Sequence, residues 1–150
     1  MDFLADTNIL IRGIHRADPK HRQTRDAVKQ LRERGCPICV ASQNLIELWA
    51  VCTRPVENNG LGLKPDQANK ILARLETVLV RLPDTDAIYT EWRRLVVTHF
   101  VSGKKTHDAR LVAAMNIHGI QNILTFNVND YQRYPGIRAV LPEEVIKGIP

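Results

Sequence analysis

Apolar residues fall alternately into short continuous runs and longer stretches with helical spacing. Residues 3–5 form a brief apolar run ending at Asp6, and Asp6-Thr7-Asn8 reads as a turn into a helix carrying Ile9, Leu10, Ile11 and Ile14. Residues 19–34 read as a second helix, with Pro19 near its first turn and Gly35 as its stop. Its apolar positions are Ala27, Val28 and Leu31 and the rest is polar, so it is expected on the surface. A strand over 37–41 leads to Ser42, the expected N-cap of a helix over 43–54. That helix is apolar nearly all round (Leu45, Ile46, Leu48, Trp49, Ala50, Val51), which is the pattern of a buried helix. Pro55, Gly60 and Gly62 mark an exposed loop. Apolar residues return at helical spacing over 66–79 and 86–101, with a short strand at 80–82 between them. A basic loop, Ser102 to Thr106, precedes a helix opened by Asp108 and stopped by Gly119. Strands follow over 122–126 and 138–141. Strands alternating with helices predict an α/β fold with a central, mostly parallel sheet of four to five strands flanked by helices.

The chain has 150 residues and a mass of 17.0 kDa, which predicts a single domain over 1–150. Hydrophobic residues at 44% and charged residues at 25% exclude a disordered, collagen-like or coiled-coil chain. No apolar run approaches the ~20 residues that span a bilayer, so no membrane partner is expected. The opening MDFLAD has no basic region and is not expected to be a signal peptide. Three cysteines leave at least one outside any pairing, and a reducing, cytoplasmic location is expected. A net charge of +5 and a pI near 9.4 suit a polyanionic partner such as nucleic acid. Aromatic residues at 5%, with no pair spaced for base stacking, argue against an RRM-like single-strand binder.

In parallel sheets ligands bind outside the carboxyl ends of the strands. Asp6 ends the first strand, and Asn127 and Asp130 follow the ILTF strand. Asp108 starts a helix, and Glu47 lies inside the most apolar one. A bare carboxylate among Leu45, Ile46, Leu48 and Trp49 costs several kcal/mol unless it is paired or binds a cation. Glu47 is therefore a ligand, half of a buried ion pair with Arg, or a residue on an exposed face of its helix. Asp6 and Asp108 also fit ordinary helix caps, and Asn127 and Asp130 ordinary turn residues.

FLADTNILI, ASQNLIELWAVCTRP, GKKTHDARLVAAMNIHG and ILTFNVNDYQRYPGI occur in that order across residues 3–137. Taken as an ordered set, they resemble the PIN domain, the nuclease fold of VapC-type toxins. The resemblance implies a PIN-like fold and a metal-dependent ribonuclease. Its metal-binding acids fall on Asp6, Glu47 and Asp108. A fourth position falls on Asn127, two residues after Thr125, or on Asp130, before Tyr131. Thr7, Asn8 and Thr125 match the family's supporting polar residues. The resemblance further implies Mg²⁺ or Mn²⁺, an RNA substrate, a small antitoxin protein as partner and a homodimer. The helices at 66–79 and 86–101, with Ile71, Leu75 and Trp92, are candidate dimer faces. The alternative is a PIN-fold module that binds nucleic acid with weak or no cleavage, for which the amide at Asn127 speaks.

The chemistry accounts for the residue types. Mg²⁺ and Mn²⁺ prefer carboxylate and water oxygens, and such ions activate water against a phosphodiester. Lys104 and Lys105 lead into Asp108 and are the candidate phosphate contacts. Arg22, Arg25, Lys29, Arg32 and Arg34 are either an RNA face or a solvated helix face. Cys36 and Cys39 form a CxxC that runs into a strand, whereas redox motifs place the first thiol at a helix N-terminus. Cys39 is read as a small buried hydrophobe. No two of the five histidines lie four apart on one helix, which excludes an HExxH-like zinc site.

Overall fold

The structure, a computed structural model, describes residues 1–148, so the last two positions of the expected 1–150 domain lie outside the described residues. Five strands form: β1 (Phe3–Ala5), β2 (Ile38–Ala41), β3 (Val80–Leu82), β4 (Asn122–Leu124) and β5 (Arg138–Val140). They make one sheet in the order β3-β2-β1-β4-β5, and every neighbouring pair is parallel. In the central strand, Phe3 sits opposite both Ile38 and Asn122. Every residue of β1, β2 and β4 is buried, as in a sheet covered on both faces. The two edge strands expose Arg81 and Arg138, charges that discourage pairing with another strand.

Seven α-helices cover the sheet among the described residues: α1 (Thr7–Ile14), α2 (His21–Glu33), α3 (Ser42–Thr53), α4 (Pro65–Glu76), α5 (Asp86–Thr98), α6 (Lys105–His118) and α7 (Pro142–Ile146). Side chains alternate across a strand, so each face builds its own core. Leu4, Cys39 and Ile123 pack with α5 and α6. Phe3, Ala5, Val40 and Leu124 pack with α1 to α4 and α7. Among the described residues no helix is long and apolar enough to cross a membrane.

Several boundaries differ from the sequence reading. Ala41, not Ser42, caps α3, and its N–H donates to Asn44 Oδ1 at 2.9 Å. α3 is not buried all round: Leu45, Leu48 and Cys52 face the core, while Ile46 is 69% exposed. A helix lying on one sheet face can bury only one side, so extra apolar residues turn outward. The helix buried most completely is α6, from Ala109 and Leu111 to Met115. It starts at Lys105, so Lys105 and Thr106 belong to the helix and Asp108 lies within its first turn. Thr106 Oγ1 donates to the Gly103 carbonyl at 2.7 Å, and Trp92 Nε1 donates to the Thr106 carbonyl at 2.8 Å. These bonds close the turn earlier than the charge pattern suggests.

α5 stops at Thr98 because Phe100 takes a left-handed conformation (φ 52°) and the Val101 N–H returns to the Val96 carbonyl. Ile71, Leu75 and Trp92, the expected dimer contacts, are half-buried against the two cores. The apolar side chains left outside α5 are Tyr89, Val97 and Phe100, the last 90% exposed. All three cysteines are free, and burial pushes the Cys39 and Cys52 thiols above their ordinary pKa.

Candidate metal and nucleic-acid site

Asp6 leaves the carboxyl end of β1 and caps α1, with Oδ1 accepting the Thr7 N–H at 2.8 Å. Its Oδ2 accepts three side-chain donors: Thr125 Oγ1 at 2.8 Å, Tyr131 OH at 3.0 Å and Asn8 Nδ2 at 3.3 Å. Asp6 is only 7% exposed. Burial raises its carboxyl above the usual range, the bonds from Thr125, Tyr131 and Thr7 oppose this, and the nearby Glu47 charge adds to it.

Asn8 and Thr125 tie this acid to the end of β4. Asn8 Nδ2 reaches Thr125 Oγ1 at 3.2 Å, and Asn8 Oδ1 accepts the Phe126 N–H at 3.2 Å. The Asn127 N–H returns to Thr125 Oγ1 at 3.0 Å. β4 therefore ends at Leu124, earlier than expected, because a threonine hydroxyl replaces the next strand partner as acceptor.

Glu47 projects from α3 toward the same end of the sheet. Its Oε2 accepts Thr7 Oγ1 at 2.6 Å and its Oε1 accepts Gln43 Nε2 at 2.8 Å. Thr7 Oγ1 in turn accepts Asn44 Nδ2 at 3.2 Å. Among the described residues no Lys, Arg or His forms a salt bridge with Glu47. The buried ion pair is thus replaced by a carboxylate held by neutral donors. Gln43 also bonds the His107 carbonyl at 2.9 Å and accepts Arg110 Nη1 at 3.3 Å, joining α3 to α6.

Asp108 is partly buried and has no side-chain hydrogen bond among the described residues. Burial lifts its carboxyl from an ordinary 3.8 to about 6; the charges of Asp130, Asp6 and Glu47 add to the rise and Lys105 opposes it. Asp130 lies in a 3₁₀ turn at Val128–Tyr131 and is hydrogen-bonded by the Lys105 ammonium. Asn127 is exposed, and its side chain makes no hydrogen bond among the described residues. Lys104 is exposed beside the site.

The sequence reading omitted Tyr131, Gln43 and Asn44. Tyr131 is buried, its phenol donates to Asp6, and burial pushes its pKa upward. Asn44, three residues beyond Ala41, had the spacing of a capping residue.

Asp6, Glu47, Asp108 and Asp130 share one electrostatic field, since three of them raise the fourth. Their donor atoms are all carboxylate oxygens, which fit a hard divalent cation. Among the described residues no three His, Cys, Asp or Glu side chains stand close enough together to enclose an ion.

The family model of the PIN domain matches residues 3–136. A chain of VapBC2 from Rickettsia felis, solved bound to a promoter DNA fragment, superposes with a TM-score of 0.70 at 15% identity, covering 94% of this chain and 98% of that one. A chain of DNA-bound VapBC from Salmonella typhimurium gives 0.69 at 19% identity, covering 95% and 98%. VapC20 of Mycobacterium tuberculosis, described as a sarcin-ricin loop cleaving toxin, gives 0.55 at 23% identity, covering 81% and 86%. At these identities the likeness concerns the fold. No curated protein sequence matches the chain.

Proposed function

Because the chain belongs to the PIN-domain family, we propose that it is a metal-dependent ribonuclease of the VapC toxin type. The observation that carries this reading is Asp108, a carboxyl with no side-chain hydrogen bond among the described residues, lifted to about 6 by burial and by three other acids. Such a cluster is costly in a folded protein unless a cation or a positive partner offsets it.

Asp6, Glu47, Asp108 and Asp130 would hold Mg²⁺ or Mn²⁺, with Asn127 at the margin. Bound there, the cation supplies an activated water and a counter-charge for the leaving oxygen. Thr125, Tyr131 and Asn8 orient Asp6, and Thr7 and Gln43 orient Glu47. Lys104 and Lys105 meet RNA phosphates beside the acids. No serine or cysteine nucleophile is required.

A cytoplasmic toxin of this type has a small antitoxin as partner and forms a homodimer. The structural neighbours from VapBC complexes support the first expectation. Exposed Ile46, Tyr89 and Val97 supply apolar surface for the second.

The test is cleavage of a labelled RNA. EDTA should abolish cleavage and Mn²⁺ restore it, while Asp6→Asn should stay inactive with Mn²⁺ present. Cleavage that survives full chelation overturns the metal mechanism. RNA binding without cleavage under any divalent ion favours the non-catalytic module.

A further inference from the structure

We propose that Lys105 is an exchangeable counter-ion, standing against Asp130 where a divalent cation binds and released to an RNA phosphate when that cation arrives. The proposal rests on the ribonuclease reading above and adds a coupling between metal and RNA that this reading does not require.

The acids of the cluster are held in different ways. Asp6 and Glu47 accept hydrogen bonds from neutral hydroxyls, amides and a backbone N–H, none of which must leave when a cation binds. Asp130 is instead held by the ammonium of Lys105. Among the described residues, this is the one salt bridge to any acid of the cluster. The nearby guanidinium of Arg110 is turned away to Asp84 and Gln43.

The Lys105–Asp130 pair also joins the first turn of α6, which carries Asp108, to the turn after β4. A positive charge there partly offsets the repulsion at Asp108, the service a metal would perform more fully. The pair is nonetheless cheap to break. The Lys105 side chain is 48% exposed and that of Asp130 25%, and exposed pairs are weak because water and salt screen them. A divalent ion brings twice the charge and takes several oxygen ligands at once. The displaced ammonium sits on a flexible stem and binds phosphate as a point charge. One residue thereby serves the empty site and the substrate-bound site in turn.

The experiment uses the full chain with Lys105→Gln and Lys105→Arg. In the first arm Mn²⁺ alone is titrated calorimetrically. Lys105→Gln should bind Mn²⁺ roughly two- to fivefold more tightly than the parent, the range that loss of an exposed ion pair allows. The gain should shrink with added salt, and Lys105→Arg should stay near the parent. In the second arm a fluorescein-labelled single-stranded RNA is bound with Ca²⁺ or in EDTA. With Ca²⁺, Lys105→Gln should bind more weakly, its log–log salt slope smaller by about 0.7, one phosphate contact on a single strand. In EDTA the variant should lose clearly less affinity than with Ca²⁺, and its salt slope should match the parent's, because Asp130 already occupies the lysine.

Unchanged or weakened Mn²⁺ binding by Lys105→Gln overturns the exchange. An equal loss of RNA affinity with Ca²⁺ and in EDTA also overturns it, leaving Lys105 a plain phosphate contact. Tighter Mn²⁺ binding by the variant, with no RNA binding by the parent, supports the displacement and overturns the ribonuclease reading instead.

Discussion

Asp108→Asn removes a charge that the fold disfavours. The carboxyl rises from 3.8 to about 6 on folding, chiefly through burial and then through Asp130, Asp6 and Glu47. At about 1.36 kcal/mol per tenfold change in proton affinity, the ionised form costs at most about 3 kcal/mol of stability. Asp108 is partly exposed, and solvent screening reduces this to about 1–2 kcal/mol. Losing an acid from the first turn of a helix gives back about 0.3–1 kcal/mol. The net gain for the variant is therefore about 1 kcal/mol, or roughly 2–4 °C in Tm for a chain of this size.

The sign depends on pH. The folded state holds the Asp108 proton more tightly than the unfolded state, so stability falls as pH rises from about 4 to about 6. Above that window the penalty is complete, and below it the penalty is absent. Melting followed by circular dichroism in EDTA should show Asp108→Asn more stable than the parent at pH 7.5, with the difference closing toward pH 4. Added Mn²⁺ should reverse the order, because only the parent keeps all the acids that would bind it. A variant that melts below the parent in EDTA at pH 7.5 would refute the claim that Asp108 is repelled by its neighbours.

Three further outcomes test other parts of the site and fold. Glu47→Gln keeps an acceptor for the Thr7 hydroxyl, gives up the bond from Gln43 Nε2, and leaves no arginine unpaired among the described residues, so melting should stay within about 1 kcal/mol of the parent. RNA cleavage should fall about a hundredfold, or about 2.7 kcal/mol; lower melting with intact activity per folded molecule would remove Glu47 from the site. Phe100→Gly relieves a left-handed backbone at an exposed phenylalanine, and should raise stability by about 1 kcal/mol in thermal melts. A fall in Tm would contradict the strain. Thr125→Val strips an acceptor from the Asn127 N–H and a donor from Asp6, costing about 1–3 kcal/mol. Tyr131→Phe removes one of three donors to Asp6 Oδ2 and should cost less; equal losses would mean the threonine is not the hub.

The sheet was legible because its inner strands are short, mostly apolar runs, and the first three strands are each followed by helical spacing. Asp6, Glu47 and Asp108 each drew attention by position, at a strand end, among leucines and at a helix start, but singly each also fitted a cap or an ion pair; the ordered resemblance to the PIN domain is what grouped them. What escaped the reading has physical causes. Periodicity marks residues that face a core, but α3 carries more apolar residues than its buried side can hold, so Ile46 looked internal. Helix starts are set by side-chain bonds such as Thr106 to Gly103 and Trp92 to Thr106. Those partners lie on another element or inside a turn, where charge patterning gives no signal. Tyr131 was invisible as a support for Asp6 because their contact spans 125 positions, and one sequence carries no trace of such a pairing.

The two halves of the site differ in what fixes them, and the difference follows from the fold. Asp6 and Glu47 stand on elements pinned by the central strand and by α3, where the two threonine donors are themselves bonded. Thr7 accepts from Asn44, and Thr125 accepts from Asn8 and the Asn127 N–H. Such chained donors hold a carboxylate in place without cancelling its charge. Asp108 and Asp130 stand on the first turn of α6 and on a short 3₁₀ turn, which share the core packing of Tyr131 and are bridged at the surface by a partly exposed lysine contact. A site built entirely like the first half would carry its full repulsion whenever it was empty. A site built entirely like the second would have to be assembled at every binding event. The difference the structure shows is one of partners: neutral donors hold Asp6 and Glu47, a lysine ammonium holds Asp130, and Asp108 accepts no side-chain hydrogen bond among the described residues.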